Sequence, residues 1–187
     1  MRAVFLDVDT LDRGDLDRSP LSMAVGDWGY HAHTPAAQVV ERLADAEIAV
    51  TNKVVLDAAI LHQVPRLKLI CVAATGVNNI DLAAAGAAGI PVCNARDYAT
   101  ASVVQHTLGL LIALAGNLPA YREAVRVGRW QQAQQFCLLD YPIRELAGLK
   151  LGIIGYGTLG QALARLAKAL GMQVLVAARP GDEDRRP

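Results

Sequence analysis

The chain lacks most of what would mark a secreted, membrane-spanning or nucleic-acid-binding protein. It has only three cysteines, Cys71, Cys93 and Cys137, widely spaced and without a C-x-x-C pair. That argues against a zinc knuckle or a disulfide framework and for free thiols in a reducing cytosol. Lys plus Arg and Asp plus Glu both total 18, and the two signs are interspersed, so there is neither a basic nucleic-acid footprint nor an acidic tail. The start, Met1-Arg2-Ala3-Val4-Phe5-Leu6-Asp7, meets an aspartate too early for a signal peptide. The most apolar run, Val103 to Leu118, contains Gln105, His106 and Asn117 and is barely long enough to span a bilayer. It reads as a buried helix. There is no internal repeat and no low-complexity tract. The expectation is a cytoplasmic protein with no metal, no nucleic acid and no membrane partner.

What is present is apolar and evenly spread. At 53% hydrophobic residues over 187 positions, rich in Ala, Val and Leu, the chain can bury a real core. Short apolar runs alternate with helical patterns, as in βαβ units around a parallel sheet, so the fold class is α/β. The strand candidates are Ala3–Val8, Ile48–Thr51, Leu67–Ala73, Ile90–Cys93, Leu151–Ile154 and Val174–Ala177. They lack alternation, as expected where helices cover both faces. Pro35 to Ala46 reads as a helix with Thr34 at the N-cap and Pro35 at the first position. Leu82 to Ala88 reads as a short helix capped by Asp81 and closed by Gly89. From about Ala101 to Ala115 a helix is apolar nearly all round, and must be buried between other elements or between subunits. Pro119 to Val127 is a further helix, and Trp130 to Ile143 a polar and aromatic crossover. The domain boundary falls near Tyr98, giving residues 1–98 and 99–187.

The segment that carries chemistry is Gly155-Tyr156-Gly157-Thr158-Leu159-Gly160, a G-x-G-x-x-G loop. Alone that pattern is weak. Here a strand precedes it, Gln161 to Ala167 continues it as a helix, and a second strand follows. Gly155 permits the tight turn, Gly157 lets the backbone approach a pyrophosphate, and Gly160 lets helix and strand pack closely. Exposed N–H groups and the dipole at the helix start attract phosphates. The loop is therefore expected to bind NAD or NADP, against the alternative of a glycine-rich turn in a nucleotide-free domain. At the end of the second strand, where a carboxylate usually grips the ribose, stands Ala178. Arg179 beside it either pairs with a 2′-phosphate, which would suggest NADP tolerance, or is a solvated loop residue.

Over essentially its whole length the chain resembles the D-isomer-specific 2-hydroxyacid dehydrogenases, nearest to their glycerate dehydrogenase (hydroxypyruvate reductase) branch. The resemblance rests on Thr51-Asn52-Lys53-Val54, Ala73-Ala74-Thr75-Gly76-Val77-Asn78-Asn79-Ile80-Asp81, Ser102-Val103-Val104-Gln105-His106-Thr107, Gly128-Arg129-Trp130 and Glu145-Leu146-Ala147-Gly148 before the glycine loop. It implies a flavodoxin-like substrate domain followed by an incomplete Rossmann nucleotide-binding domain. It assigns the turn Thr75-Gly76-Val77 to the carboxylate of a 2-keto acid, which backbone N–H groups in such a turn suit, with Lys53 adding positive charge nearby. A plain strand-to-helix turn and a surface lysine are the alternatives. The long helix would be the two-fold contact of a homodimer.

Reduction of a keto acid needs a proton donor and a cation at the carbonyl. The resemblance places these, a histidine held by a carboxylate and an arginine, downstream of the glycine loop. Here His31, His33, His62 and His106 all precede it. The expectation is the N-terminal part of an NAD(P)-dependent oxidoreductase that reduces hydroxypyruvate or glyoxylate to D-glycerate or glycolate, with no catalytic residue in this chain and no turnover by it alone. The alternatives are a non-catalytic, corepressor-like dinucleotide-binding or dimerisation module and a non-functional fragment.

Overall fold

The computed structural model describes residues 1–177. The chain divides into two compact units, Met1–Arg96 and a second beginning at Asp97.

The first unit is a five-stranded, wholly parallel sheet. Its strands are β1 (Arg2–Phe5), β2 (Asp27–Tyr30), β3 (Ile48–Thr51), β4 (Leu69–Val72) and β5 (Val92–Asn94), in the order β2-β1-β3-β4-β5. This is the doubly wound order in which the connection reverses between β1 and β3, so the carboxyl ends of those strands flank a crevice. Helices α1 (Ser19–Ala24), α2 (Val39–Leu43), α3 (Ala58–Leu61) and α4 (Leu82–Ala87) make the connections. One face of β3 and β4, carrying Ala49, Thr51, Ile70 and Val72, is buried; the other, carrying Ile48, Val50, Leu69 and Cys71, is half-covered. The core joins Val4 and Leu6 to Val39, Leu43, Leu56, Ile70 and Ala85.

Local chemistry sets the element ends. Asp57 caps α3 by accepting from the Ile60 N–H at 2.9 Å, and Asp81 caps α4 by accepting from Ala84 at 2.9 Å. Gly89, at φ +69°, turns the chain out of α4, as its position in the sequence indicates. Two local expectations are corrected. The Thr34 hydroxyl does not cap a helix: it donates to the Leu6 carbonyl and accepts from Arg42 at 2.6 Å, so the helical segment begins as a 3-10 turn at Ala36–Gln38. And β2 was not expected, because Asp27 and Gly29 are poor strand formers. It is held by β1 at the sheet edge, with Trp28 stacked on Tyr30 at 5.3 Å between centroids.

The second unit contains α5 (Thr100–Ala115), α6 (Leu118–Arg126), α7 (Arg129–Gln132), β6 (Lys150–Ile154), α8 (Thr158–Ala169) and β7 (Gln173–Ala177). β6 and β7 pair in parallel, from Lys150 opposite Gln173 to Ile154 opposite Ala177, and α8 packs against both, with Ile153, Ala164 and Ala167 buried. The crossover after α7 is pinned by Tyr121, whose hydroxyl donates to the Tyr141 carbonyl at 2.7 Å, and by the Arg129–Asp140 ion pair at 2.7 Å. Of the two covers expected for α5, other elements or a second subunit, the chain's own elements supply only part. α5 lies against α8 and α6, yet only Val104 is buried, and Leu110, Ile112 and Leu114 stand in solvent, Leu114 at 75% exposure. Among the described residues no single helix is long and apolar enough to cross a membrane.

Candidate functional site

In the first unit the residues of interest gather at the carboxyl edge of neighbouring strands. Thr51 ends β3 and builds the turn that follows, its Oγ1 accepting from the Val54 N–H at 2.9 Å. Asp7, 2% exposed just beyond β1, secures the same turn from the other side. Its carboxylate accepts from the Asn52 N–H at 2.8 Å and the Lys53 N–H at 2.6 Å, one to each oxygen. Asn52 Nδ2 donates to Thr10 Oγ1 at 3.0 Å, tying in the loop after β1. A buried carboxylate thus fixes the backbone of Lys53, whose own side chain is exposed and, among the described residues, pairs with no carboxylate.

The turn after β4 is clasped to the end of β5. Ala95 N–H donates to the Ala74 carbonyl at 3.1 Å, Thr75 Oγ1 donates to the Ala95 carbonyl at 2.9 Å, and Asn94 Nδ2 donates to the Thr75 carbonyl at 2.7 Å. The Ala74 and Thr75 carbonyls and the Thr75 hydroxyl are therefore engaged. By contrast, the N–H groups of Thr75, Gly76 and Val77 have no acceptor among the described residues, and the next donors with partners are Ile80, to Val77, and Asp81, to Leu56. Thr75 and Gly76 are exposed and Val77 half-buried. The backbone N–H groups of Asn78 and Asn79 likewise donate to nothing among the described residues, so a run of unpaired N–H groups lies at the carboxyl edge of the parallel sheet, a kind of group that can hold an anion.

In the second unit the glycine loop runs from β6 into α8. Gly155 adopts φ +92°, open to glycine at no steric cost. A Cβ at Gly160 would lie 2.3 Å from the Gly155 carbonyl oxygen and 3.3 Å from Ile153 Cγ2, so helix and strand meet there only because Cβ is absent. Gly157 is different. It caps α8 without a side chain, and a Cβ built on it meets nothing within 4 Å. Packing within the chain does not require glycine at that point, and only the N-cap preference favours it over alanine. Thr158 and Leu159 open the first turn, exposed, and Gln161 folds back so that its Nε2 donates to the Tyr156 carbonyl at 3.1 Å. The unpaired N–H groups of that first turn make the fit for a pyrophosphate.

The site residues read from the sequence thus fall into two groups. Lys53 and Thr75–Val77 share one sheet edge, and Gly155 to Gly160 form one loop. Ala178 and Arg179 lie outside the described residues. His106 is exposed on α5, and no cluster of His, Cys, Asp or Glu suited to a metal occurs among the described residues. Sequence reasoning missed Asp7 and Asn94. Both act through contacts 45 and 19 residues away, which no local pattern announces.

Comparison with known proteins adds the family. The family model described as "D-isomer specific 2-hydroxyacid dehydrogenase, catalytic domain" matches residues 8–179. A glycerate dehydrogenase of Methylorubrum extorquens is 47% identical over 86% of this chain and 53% of its own length. A hydroxypyruvate reductase of Blautia hydrogenotrophica is 38% identical over 94% of this chain and 55% of its own. Among solved structures, a Thermus thermophilus protein superposes at a TM-score of 0.77 with 29% identity, covering 100% of this chain and 59% of its own. An acyclic imino acid reductase in complex with NADPH and D-Arg has a TM-score of 0.80 at 21% identity, covering 100% of this chain and 58% of its own, a likeness of fold alone. The chain spans about half the length of the relatives it matches.

Proposed function

The chain belongs to the D-isomer-specific 2-hydroxyacid dehydrogenase family, and from that premise we propose that it supplies the substrate-carboxylate turn and the dinucleotide loop of an NAD(P)-dependent enzyme. The reaction is reversible reduction of a small 2-keto acid, hydroxypyruvate or glyoxylate, to D-glycerate or glycolate. Relatives named glycerate dehydrogenase, hydroxypyruvate reductase and glyoxylate reductase support that substrate class. We assign the substrate to residues 1–98 and the dinucleotide to residues 99–187. The observation that carries the reading is Gly157, a helix-capping glycine where a Cβ would meet nothing in the chain, set between Gly155 and Gly160 at the open start of α8 where a phosphate would approach the backbone.

Each group has a distinct task. The N–H groups of Thr75, Gly76 and Val77 hold the carboxylate and so orient the keto carbon, while Lys53, set by Asp7, adds positive charge beside them. Gly155 to Gly160 hold the pyrophosphate at the start of α8, with the side chains of Tyr156, Thr158 and Leu159 flanking it. The nicotinamide ring supplies the hydride when the dinucleotide is bound. Arg179 favours NADPH, since its guanidinium matches a 2′-phosphate and Ala178 offers no carboxylate to repel one. The exposed apolar ridge of α5 is the two-fold contact of a homodimer.

No histidine follows His106 in the sequence, so the chain binds without turning over. Titration calorimetry with NADPH should therefore give a saturable isotherm, and a hydroxypyruvate assay on the same sample no change in absorbance at the nicotinamide band. Flat isotherms with both NADPH and NADH remove the dinucleotide reading; saturable NAD(P)H oxidation removes the assignment of proton transfer to residues outside this chain.

A further inference from the structure

Two of the three cysteines, far apart in sequence, are direct partners in the sheet. Cys71 of β4 lies opposite Cys93 of β5 in the parallel register. Side chains of such a pair leave the sheet side by side on one face. It is the face opposite the buried Ile70 and Val72, so Cys71 is half-covered and Cys93 is exposed. Neighbouring strands lie about 4.8 Å apart, within the roughly 4.4–6.8 Å between Cα atoms that a disulfide spans. That spacing is shorter than the roughly 5.5–6 Å most common between the Cα atoms of a disulfide, so closing the bond must shift β5 relative to β4.

What β5 carries makes that movement consequential. The residue after Cys93 is Asn94, whose side chain donates to the Thr75 carbonyl at 2.7 Å, and the next is Ala95, which donates to Ala74 at 3.1 Å and accepts from Thr75 Oγ1 at 2.9 Å. The clasp on the Thr75–Val77 turn therefore begins one residue beyond the thiol pair. We propose that Cys71 and Cys93 form a reversible dithiol–disulfide pair whose closure resets this turn, making the pair a redox modification site. Its effect on substrate rests on the carboxylate reading of the turn given above.

The oxidant is a hydroperoxide, and the step balances. Cys93, the exposed thiol, reacts first as its thiolate. Its sulfur attacks one peroxide oxygen, the O–O bond breaks, and a sulfenic acid forms with release of hydroxide or alkoxide. The Cys71 sulfur then attacks the Cys93 sulfur, the S–O bond breaks, and hydroxide leaves as water with the Cys71 proton. With hydrogen peroxide the two thiols are oxidised to one disulfide and the peroxide is reduced to two waters. Burial, and then the neighbouring Cys93, push the Cys71 thiol up, which disfavours its thiolate and leaves the exposed Cys93 to meet the peroxide first. A bond closed against the strand spacing is readily reduced again by small thiols.

The test uses the reduced full chain treated with limiting hydrogen peroxide, alkylated, and cut before aspartate. Asp81 lies between the two cysteines, so their fragments stay joined only through a disulfide. Expected is one Cys71–Cys93 link, reversed by dithiothreitol, with Cys137 still alkylated, and no link in C71S or C93S. Amide spectra of the oxidised chain should show displaced Thr75, Gly76 and Val77 resonances, unchanged by peroxide in C71S. Over-oxidation of Cys93 without a link, or a link to Cys137, overturns the proposal, and so does a Cys71–Cys93 link that leaves the three amides unmoved. A separate titration of the reduced chain with glyoxylate reads the carboxylate assignment alone: no response there removes that assignment, while the disulfide and its effect on the turn are judged by the first two measurements.

Discussion

Replacing Gly157 and Gly160 each by alanine separates what the fold needs from what the ligand needs. Both changes add one methyl group to the same loop, and the structure assigns them opposite consequences. At Gly160 the new Cβ would stand 2.3 Å from the carbonyl oxygen of Gly155, a backbone atom with no rotamer in which to retreat. Overpacking of this kind costs about 1–3 kcal/mol. Gly160 lies inside α8, where alanine returns up to about 1 kcal/mol of helix propensity. A contact of 2.3 Å to backbone places the cost at the upper end of that range, so the net loss is on the order of 2 kcal/mol, with Tm lowered by roughly 4–8 °C per kcal/mol in a unit of this size. At Gly157 the Cβ meets nothing within 4 Å and φ is −81°, so only the modest preference of N-cap positions for glycine over alanine is lost, below about 1 kcal/mol. A dinucleotide phosphate, however, would meet that methyl directly. G157A should melt near the parent and bind NADPH at least about tenfold more weakly, a loss of ~1.4 kcal/mol. G160A should unfold earlier in urea, followed by far-ultraviolet circular dichroism. If G157A binds as tightly as the parent, the loop is not a phosphate cradle. If G160A is as stable as the parent, α8 and β6 do not meet as described.

Four other outcomes follow from the same structure. Asp7→Asn sets an amide N–H₂ against one of two backbone donors in a buried site and should cost about 2–4 kcal/mol in chemical denaturation, and a cost below about 0.5 kcal/mol would mean that Asp7 does not hold the Lys53 turn. Arg179→Ala should weaken NADPH more than NADH by about 1–2 kcal/mol if a charge-assisted pair is lost, and equal weakening would remove Arg179 from the phosphate. Hydrogen exchange should be slow for Ile70 and Val72 and fast from Leu151 to Leu175, because Ile154 is 94% exposed on a two-stranded sheet covered by α8 on one face; equal protection in a monodisperse sample would contradict this. Burial, then Arg42 and Arg2, hold His31 below its ordinary value of about 6.5, so the unfolded chain takes up the proton first and stability should fall as pH drops below about 6.5. His31→Gln should flatten that slope, and an unchanged slope would place its cause elsewhere.

What the sequence made legible and what it hid divide by the range of the interactions responsible. The glycine loop could be read because each of its glycines answers a constraint posed within a few residues: a left-handed φ at Gly155, a crowded carbonyl at Gly160, a helix start at Gly157. The same holds for Asp81, which caps a helix three residues on. Thr34 looked like an equally good cap, but a cap must accept from a backbone N–H, and its oxygen accepts from Arg42 instead while its proton goes to the Leu6 carbonyl 28 residues away. Asp27-Trp28-Gly29-Tyr30 has no local reason to be a strand; β1 supplies the ladder that makes it one. At the candidate site the contrast is sharpest. The Thr75–Val77 turn is visible as a motif, yet what holds its backbone is the clasp from Asn94 and Ala95, and what sets Lys53 is the buried carboxylate of Asp7. Composition also misleads where it constrains only one half of an interaction. The apolar circumference of α5 requires that most of it be covered, and α8 and α6 cover part of it, but the pattern does not say what meets Leu110, Ile112 and Leu114. Side chains of that kind gain about 1.5–3 kcal/mol each when buried. A single charge introduced there, L114E, would therefore change the association state of the chain in light scattering if a second copy is the cover, and leave it unaltered if it is not.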